Sequence, residues 1–155
     1  MTGREVFVMF DCFGKTRTAT RNGEHYMMLF VCWRSKMTYV VLLKRERDLP
    51  NALDEFFVNY HKSFGHLPTA VFCDGAKVHL SSAVKAILDR RLIKQYTTVP
   101  HCSEQNPAER YIGRICTMAR TLMQSSGAPL SLWGHAVMEA SYLHNRLPNK
   151  TNPGS

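Results

Sequence analysis

Three acidic residues, widely separated along the chain, have surroundings that could support chemistry. Asp11 and Asp74 each follow a short apolar run that predicts a buried strand, and Glu109 stands in the first turn of a predicted helix. Open α/β sheets place ligand sites at the C-terminal ends of their strands. Because sets of carboxylate oxygens suit Mg²⁺ or Mn²⁺ rather than zinc, these positions predict a divalent-metal site.

Such a metal site suits in-line displacement at phosphorus. Three carboxylates could hold two cations about 3.5–4 Å apart, one activating a water or 3′-hydroxyl and the other stabilising charge on the leaving oxygen. The chain has twelve acidic residues, however, and aspartates at strand ends often only cap turns. The spacing alone therefore leaves a structural interpretation open beside the catalytic one.

Hydrophobic periodicity predicts the elements that position the three acids. The predicted strands cover 5–10, 25–33, 37–43, 69–73 and 93–99, and the predicted helices start near Pro50, Ser81, Pro107 and Ser131. Ser81 and Ser131 are the expected N-caps, and Gly65 is expected to end the first helix. Trp133 and Leu147 are expected on the buried stripe of the last helix, with Trp133 as a core anchor. The first three strands predict an antiparallel meander, with Asp11 at the end of the first. The whole order predicts one α/β domain built on a five-stranded mixed sheet with helices on both faces.

Composition narrows the class of protein. A chain of 155 residues fits one domain, and a net charge of +8 is a candidate footprint for a polyanionic partner. Five cysteines without CxxC spacing indicate reduced thiols rather than a disulfide framework or a zinc site. No stretch approaches the roughly 20 apolar residues of a membrane span, so no membrane partner is expected.

Several segments resemble those of integrases from copia-type LTR retrotransposons. Residues 97–110 (TTVPHCSEQNPAER) are similar to the family's TTVPYTPQQNGVAER, 118–123 (MARTLM) to MARSML, 132–137 (LWGHAV) to LWGEAV and 142–148 (YLHNRLP) to YLLNRLP. Two shorter segments also resemble motifs of the family: 72–75 (FCDG) corresponds to RSDNG, and 11–14 (DCFG) corresponds to DxxGP. The matches follow the family's order over nearly the whole chain.

This resemblance implies a retroviral-type integrase core with an RNase H-like fold over residues 1–148. The turn-like residues 149–155 predict a frayed tail. Carried over by motif, Asp11, Asp74 and Glu109 are the catalytic, metal-binding triad for Mg²⁺ or Mn²⁺, with two ions. The implied activity is 3′-end processing and strand transfer on double-stranded DNA, both element ends and target, with possible endonuclease action. The resemblance also implies a homo-oligomer of two or more copies that acts in the nucleus after a cytoplasmic particle stage.

The chain departs from the family around the triad. Pro107 replaces the family's Gly-Val, which brings Glu109 one residue closer to Asp74 than in typical members. Gly75 replaces an asparagine, and Glu104 replaces a glutamine and is a rival third ligand. These departures support an alternative, in which the chain is a degenerate or domesticated DNA-binding and assembly module without catalysis.

Polar and basic residues near the triad are the candidate DNA contacts. Arg110 and Arg114 rank first, because guanidinium groups on the polar face of the predicted helix from Pro107 suit DNA phosphate. The other candidates are Lys77, His101, Gln105 and Asn106, and a further basic segment carries Lys15, Arg17 and Arg21. The simpler interpretation of each is an ordinary solvated surface.

Overall fold

The computed structural model describes residues 6–74, 81–97 and 107–148. In chain order the elements are β1 (Phe7–Phe13), β2 (Tyr26–Cys32), β3 (Thr38–Leu43), α1 (Leu49–Phe64), β4 (Ala70–Cys73), α2 (Ser82–Arg90), β5 (Lys94–Thr97), α3 (Pro107–Ser126) and α4 (Trp133–Arg146). Short 3-10 turns precede α1 and α4. This order confirms the predicted sequence of strands and helices, whereas the predicted tail at 149–155 lies outside the described residues.

The five strands form one mixed sheet in the order β3-β2-β1-β4-β5. β1 runs antiparallel to β2, which runs antiparallel to β3, so the predicted meander is confirmed. β1 is parallel to β4, and β4 is parallel to β5. The central strand β1 therefore has a neighbour on each side, and it carries the first acid of the predicted site.

Helices cover both faces of the sheet, as predicted. Successive residues of a strand point to opposite faces, so Val8 and Phe10 pack against one layer of helices while Met9 packs against the other. The first layer consists of α1 and α2, which contribute Leu53, Phe57 and Leu88 among others. The second consists of α3 and α4, which contribute Ala108, Ile112, Ile115, Ala119, Val137 and Ala140. We call these the α1/α2 face and the α3/α4 face.

Two predicted helix ends are confirmed by their caps. The Ser81 hydroxyl accepts a hydrogen bond from the backbone N–H of Val84 at 3.4 Å, as an N-cap residue does. Gly65 ends α1 with φ of 73°, a left-handed conformation that glycine adopts without the steric cost of a Cβ.

Three local predictions were wrong. β1 continues to Phe13, so Asp11 lies inside the strand instead of at its end, because it remains paired with Leu29 of β2. Ser131 does not cap the last helix, because it lies in a 3-10 turn at Leu130–Leu132 and α4 starts at Trp133. Leu147 follows α4 and is 55% exposed, so it does not belong to that helix's buried stripe.

Within the described ranges, no helix combines the length and the apolar character that crossing a bilayer demands.

Candidate active site

Asp11 and Asp74 lie beside each other on the two central parallel strands. The register pairs Phe7 with Ala70 and Met9 with Phe72. The same register carried two residues further places Asp11 opposite Asp74, the residue directly after β4. Neighbouring strands are about 4.8 Å apart, so the sheet brings the first two predicted ligands together.

Both aspartates are directed toward the α3/α4 face. Met9 and Phe72 stand two residues before them on the same strands and pack into the cluster on that face, and side chains two residues apart share a face. Both aspartates are half-buried. One carboxylate oxygen of Asp11 accepts a hydrogen bond from the backbone N–H of Cys12 at 2.8 Å. The pair thus stands on rigid backbone at an edge that solvent still reaches.

Two thiols on the opposite face of the sheet are affected by the negative charge of this pair. Burial raises the pKa of the Cys12 thiol to about 12, and the negative charges of Glu46, Asp11 and Asp74 add to the rise. Burial also raises the pKa of Cys73; a hydrogen bond from Gln95 opposes the rise, and Asp74 and Asp11 add to it. Both thiols therefore stay neutral at ordinary pH, which makes thiolate ligation or nucleophilic attack by them unfavourable.

The cysteines of the described residues, Cys12, Cys32, Cys73 and Cys116, are free.

Glu109 occupies the first turn of α3, which lies on the face toward which the aspartates point. Its neighbour Ala108 is buried in the α3/α4 cluster, whereas Glu109 itself is exposed. Across residues 6–74, 81–97 and 107–148, no three or more His, Cys, Asp or Glu side chains are grouped closely enough to hold a metal ion. The structure therefore joins two of the three predicted ligands, and the complete triad stays a prediction.

Glu46 is a carboxylate near the Cys12 thiol that the sequence analysis did not single out. It lies in the 3-10 turn after β3, and its charge acts on the Cys12 thiol more than the charge of Asp11 does. Its segment, Lys-Arg-Glu-Arg-Asp, mixes positive and negative charges and carries no motif. Glu46 comes near Cys12 only because β3 returns to this end of the sheet.

A basic groove runs along the exposed side of α3. The Arg114 guanidinium lies 5.4 Å from the ring centroid of Tyr111, whose ring meets His144 of α4 edge-on at 5.5 Å. The groove has a volume of about 480 Å³ and is lined by Arg110, Gly113, Arg114, Thr117, Met118 and His144. Both arginines are exposed, so the first-ranked DNA candidates share one accessible surface.

The remaining site predictions lie outside the described residues: Lys77, His101, Glu104, Gln105 and Asn106.

Comparison with known proteins relates the chain to transposon polyproteins. No protein-family model matches it. It is 25% identical over 143 residues, 92% of its length, to the retrovirus-related Pol polyprotein from transposon TNT 1-94 of Nicotiana tabacum. It is 26% identical over 124 residues, 79% of its length, to the corresponding polyprotein from transposon RE2 of Arabidopsis thaliana. The chain spans only 11% and 8% of these relatives.

A solved structure shares the fold. A chain of the simian T-cell lymphotropic virus intasome, determined by cryo-electron microscopy with PP2A regulatory subunit B56 gamma, superposes with a TM-score of 0.71. The match has 17% sequence identity and covers 91% of this chain and 48% of that one. The chain is thus an α/β protein with the predicted RNase H-like fold. Its homologues are retrovirus-related Pol polyproteins of plant transposons, consistent with the predicted resemblance to a copia-type integrase core.

Proposed function

We propose that this chain is an integrase core that performs divalent-metal-dependent polynucleotidyl transfer on DNA. The reaction would trim the 3′ ends of the element and join them to target DNA. The observation that carries the proposal is the side-by-side placement of Asp11 and Asp74 on the α3/α4 face. Helix α3 on that face carries Glu109 in its first turn, and its exposed side continues into the basic groove.

The donor set fits Mg²⁺ or Mn²⁺. The aspartates offer oxygen ligands on rigid strands, and the neighbouring thiols are held neutral by burial and by the aspartate charges. Asp11 and Asp74 would hold the metal from the sheet, with Glu109 as the third ligand from α3. When bound, two such ions supply Lewis-acid activation of the attacking oxygen and charge stabilisation of the leaving oxygen.

The protein's own contribution to this reaction is positioning. Arg110 directly follows Glu109 on α3, and Arg114 lies one turn further along the same helix. Guanidinium groups bind phosphate oxygens through paired N–H donors. The groove therefore binds the DNA backbone next to the acidic residues, which holds the phosphodiester in place for reaction.

A strand-transfer or disintegration reaction on a branched DNA substrate with Mn²⁺ tests the proposal. We expect activity in the wild type and only background activity in Asp11→Asn, Asp74→Asn and Glu109→Gln. Glu139→Gln, at an exposed carboxylate on α4, is the matched control and should keep full activity. An inactive but well-folded wild type, or equal activity in Glu109→Gln, would contradict catalysis by this triad.

A second candidate function is DNA binding without catalysis. It is favoured by the exposure of Glu109 and by the lack of a three-ligand group within the described residues. This candidate predicts DNA binding that weakens with salt but is indifferent to divalent metal. Calorimetry separates the two, because stoichiometric Mg²⁺ or Mn²⁺ binding that Asp74→Asn abolishes would exclude the non-catalytic module.

The proposal extends to assembly and location. The structural neighbour is part of an intasome, which supports an oligomeric assembly. We propose in addition that two or more copies of this chain act together on double-stranded DNA and that they do so in the nucleus. Analytical ultracentrifugation with and without a DNA duplex tests the assembly, and a chain that stays monomeric on DNA would contradict it. Imaging of a fluorescent fusion tests the location.

A further inference from the structure

The loop that joins β1 to β2, residues 14–25, is held in one shape by its own hydrogen bonds. The backbone N–H of Thr16 donates to the His25 carbonyl at 2.9 Å, and the His25 ring nitrogen Nδ1 lies 2.9 Å from the Thr16 carbonyl. At the tip, the Thr20 N–H donates to the Glu24 carbonyl at 2.9 Å. These hydrogen bonds join the two arms of the loop to each other and fix its shape.

Helix α4 fixes the same loop from outside. The indole N–H of Trp133 donates to the Thr18 carbonyl at 2.7 Å. A Cβ added at the next residue, Gly134, would stand 2.7 Å from the Thr20 methyl carbon, so the loop and the start of α4 approach each other closely at this glycine. The sequence indicated only that Trp133 would be a core anchor, and the structure adds a specific hydrogen bond to the loop.

The exposed charge of this loop is positive. Lys15, Arg17 and Arg21 are exposed, while the loop's one acid, Glu24, is half-buried and accepts a hydrogen bond from the Thr20 hydroxyl. The side-chain ion pairs found within the described residues join Asp54 to arginines of α2 and its C-cap. Neither of these pairs involves Lys15, Arg17 or Arg21.

The loop starts close to the paired aspartates. Lys15 follows Asp11 by four residues, which places their Cα atoms at most about 14 Å apart, since a chain spans up to 3.6 Å per residue. A DNA duplex rises about 3.4 Å per base pair, so this distance corresponds to about four base pairs. A duplex seated at Asp11 and Asp74 would therefore carry several phosphates within reach of the loop cations.

We propose that the β1–β2 loop is a second DNA-backbone contact, in which Lys15, Arg17 and Arg21 bind phosphates beside the reacting one, and that Trp133 is the positioning residue that holds the loop there. The inference rests on the proposed function, because it assigns part of the DNA substrate to a surface other than the groove on α3.

The charge contribution is measured by the salt dependence of duplex binding. The triple variant Lys15→Ala/Arg17→Ala/Arg21→Ala should lower the slope of log affinity against log salt by about 2.7, or about 0.9 for each lost phosphate contact. A matched triple variant, Arg34→Ala/Lys62→Ala/Arg146→Ala, removes the same charge from exposed positions elsewhere and should keep the wild-type slope. Equal slopes in the two triple variants would overturn the inference.

The positioning role of Trp133 is measured by combining its substitution with the loop triple variant. Trp133→Phe keeps an aromatic ring but loses the N–H donor. It should weaken duplex binding by up to about fivefold, because the loop loses one net hydrogen bond that holds it in place before DNA binds. Added to the loop triple variant, the same change should have no further effect, because the cations it positions are gone. An equal loss in both backgrounds would show a general structural role and overturn the assignment. Trp33→Phe, at a 50% exposed tryptophan in the β2–β3 turn, is the control.

Different results would contradict the loop assignment and the proposed function. If Arg110→Ala/Arg114→Ala weakens DNA binding while the loop triple variant binds like wild type, the loop assignment is wrong and the proposed function stands. If the folded wild type shows no salt-dependent DNA binding, the proposed function fails and the loop assignment fails with it.

Discussion

The side-chain amide of Asn145 pairs with the backbone of Thr38 as a neighbouring strand would. Its Nδ2 donates to the Thr38 carbonyl at 2.8 Å, and its Oδ1 accepts from the Thr38 N–H at 2.7 Å. The Thr38 hydroxyl is also hydrogen-bonded to Ser141, with 2.7 Å between the oxygens. Because β3 is an edge strand, whose outer backbone groups lack a strand partner, α4 closes the sheet at the first residue of that edge.

Asn145→Leu should therefore destabilise the fold. It removes the two hydrogen bonds to the Thr38 backbone, and at 0.5–1.5 kcal/mol each the free energy of unfolding should fall by roughly 1–3 kcal/mol. Asn145→Asp should cost at least as much at neutral pH, because a carboxylate would face the Thr38 carbonyl, and should recover part of the loss in acid, where the carboxyl can donate. Urea denaturation measures both. Gln124→Ala, at an exposed position of α3, is the control, and a loss no larger than the control's would refute the pairing.

Metal binding at the paired aspartates should stabilise the protein. A ligand that binds only the folded state adds about 2.7 kcal/mol at one hundred times its dissociation constant, so saturating Mn²⁺ should raise the melting temperature. Asp11→Asn and Asp74→Asn should abolish the rise, because each removes an oxygen ligand from the pair. Asp89→Asn, at an exposed position of α2, should retain it. The same rise in all variants would place the metal elsewhere.

Gly134→Ala should be destabilising despite the small change. The new Cβ would stand 2.7 Å from the Thr20 methyl carbon and 2.8 Å from the Leu42 Cδ1 atom, and overpacking of this kind costs roughly 1–3 kcal/mol. Adding Thr20→Ser removes the methyl group and should restore part of the loss. Thermal denaturation compares the single and double variants, and a stability unchanged in Gly134→Ala would contradict the close approach of loop and helix.

Tyr60 should make stability depend on alkaline pH. Burial, with a further contribution from Cys32, raises the pKa of its phenol from 10.0 to about 12. A raised folded-state pKa favours the protonated form in the fold, so its stabilising contribution is complete below about pH 10 and is lost between about pH 10 and 12. Compared with Tyr60→Phe, the wild type should lose more stability across that window. Phenolate absorbance should show one late-titrating tyrosine that the variant lacks.

Much of the fold follows from local pattern. The apolar stripe of α1, with Leu53, Phe56 and Phe57 all buried, predicts a helix because burial on one side imposes the helical period. The short apolar run of Val8, Met9 and Phe10 predicts a strand that is buried on both faces. The end of β1 was misplaced because its last residues owe their strand conformation to β2, which is distant in sequence. The amide of Asn145 and the indole of Trp133 could not be assigned for the same reason, since their partners lie more than a hundred residues away.

In the candidate site as well, the positions of two acids could be predicted from the sequence and the position of the third could not. Asp11 and Asp74 were predicted to meet because parallel strands bring their C-terminal ends to one edge, and the register agrees. The placement of Glu109 depends on how the chain reaches α3, and residues 98–106 lie outside the described part. That segment has no hydrophobic period from which its path could be predicted.

The placement of Asp11 on the central strand has a consequence for local opening. Its backbone is paired within a strand that has a neighbour on each side, so its amide should exchange with solvent only when the whole domain unfolds. Glu109 stands in the first turn of α3, where backbone N–H groups have no partner within the helix and ends fray at low cost. Native-state hydrogen exchange should therefore assign these two acids to units of very different opening free energy. Ordering the helix start would then be a step separate from folding the sheet.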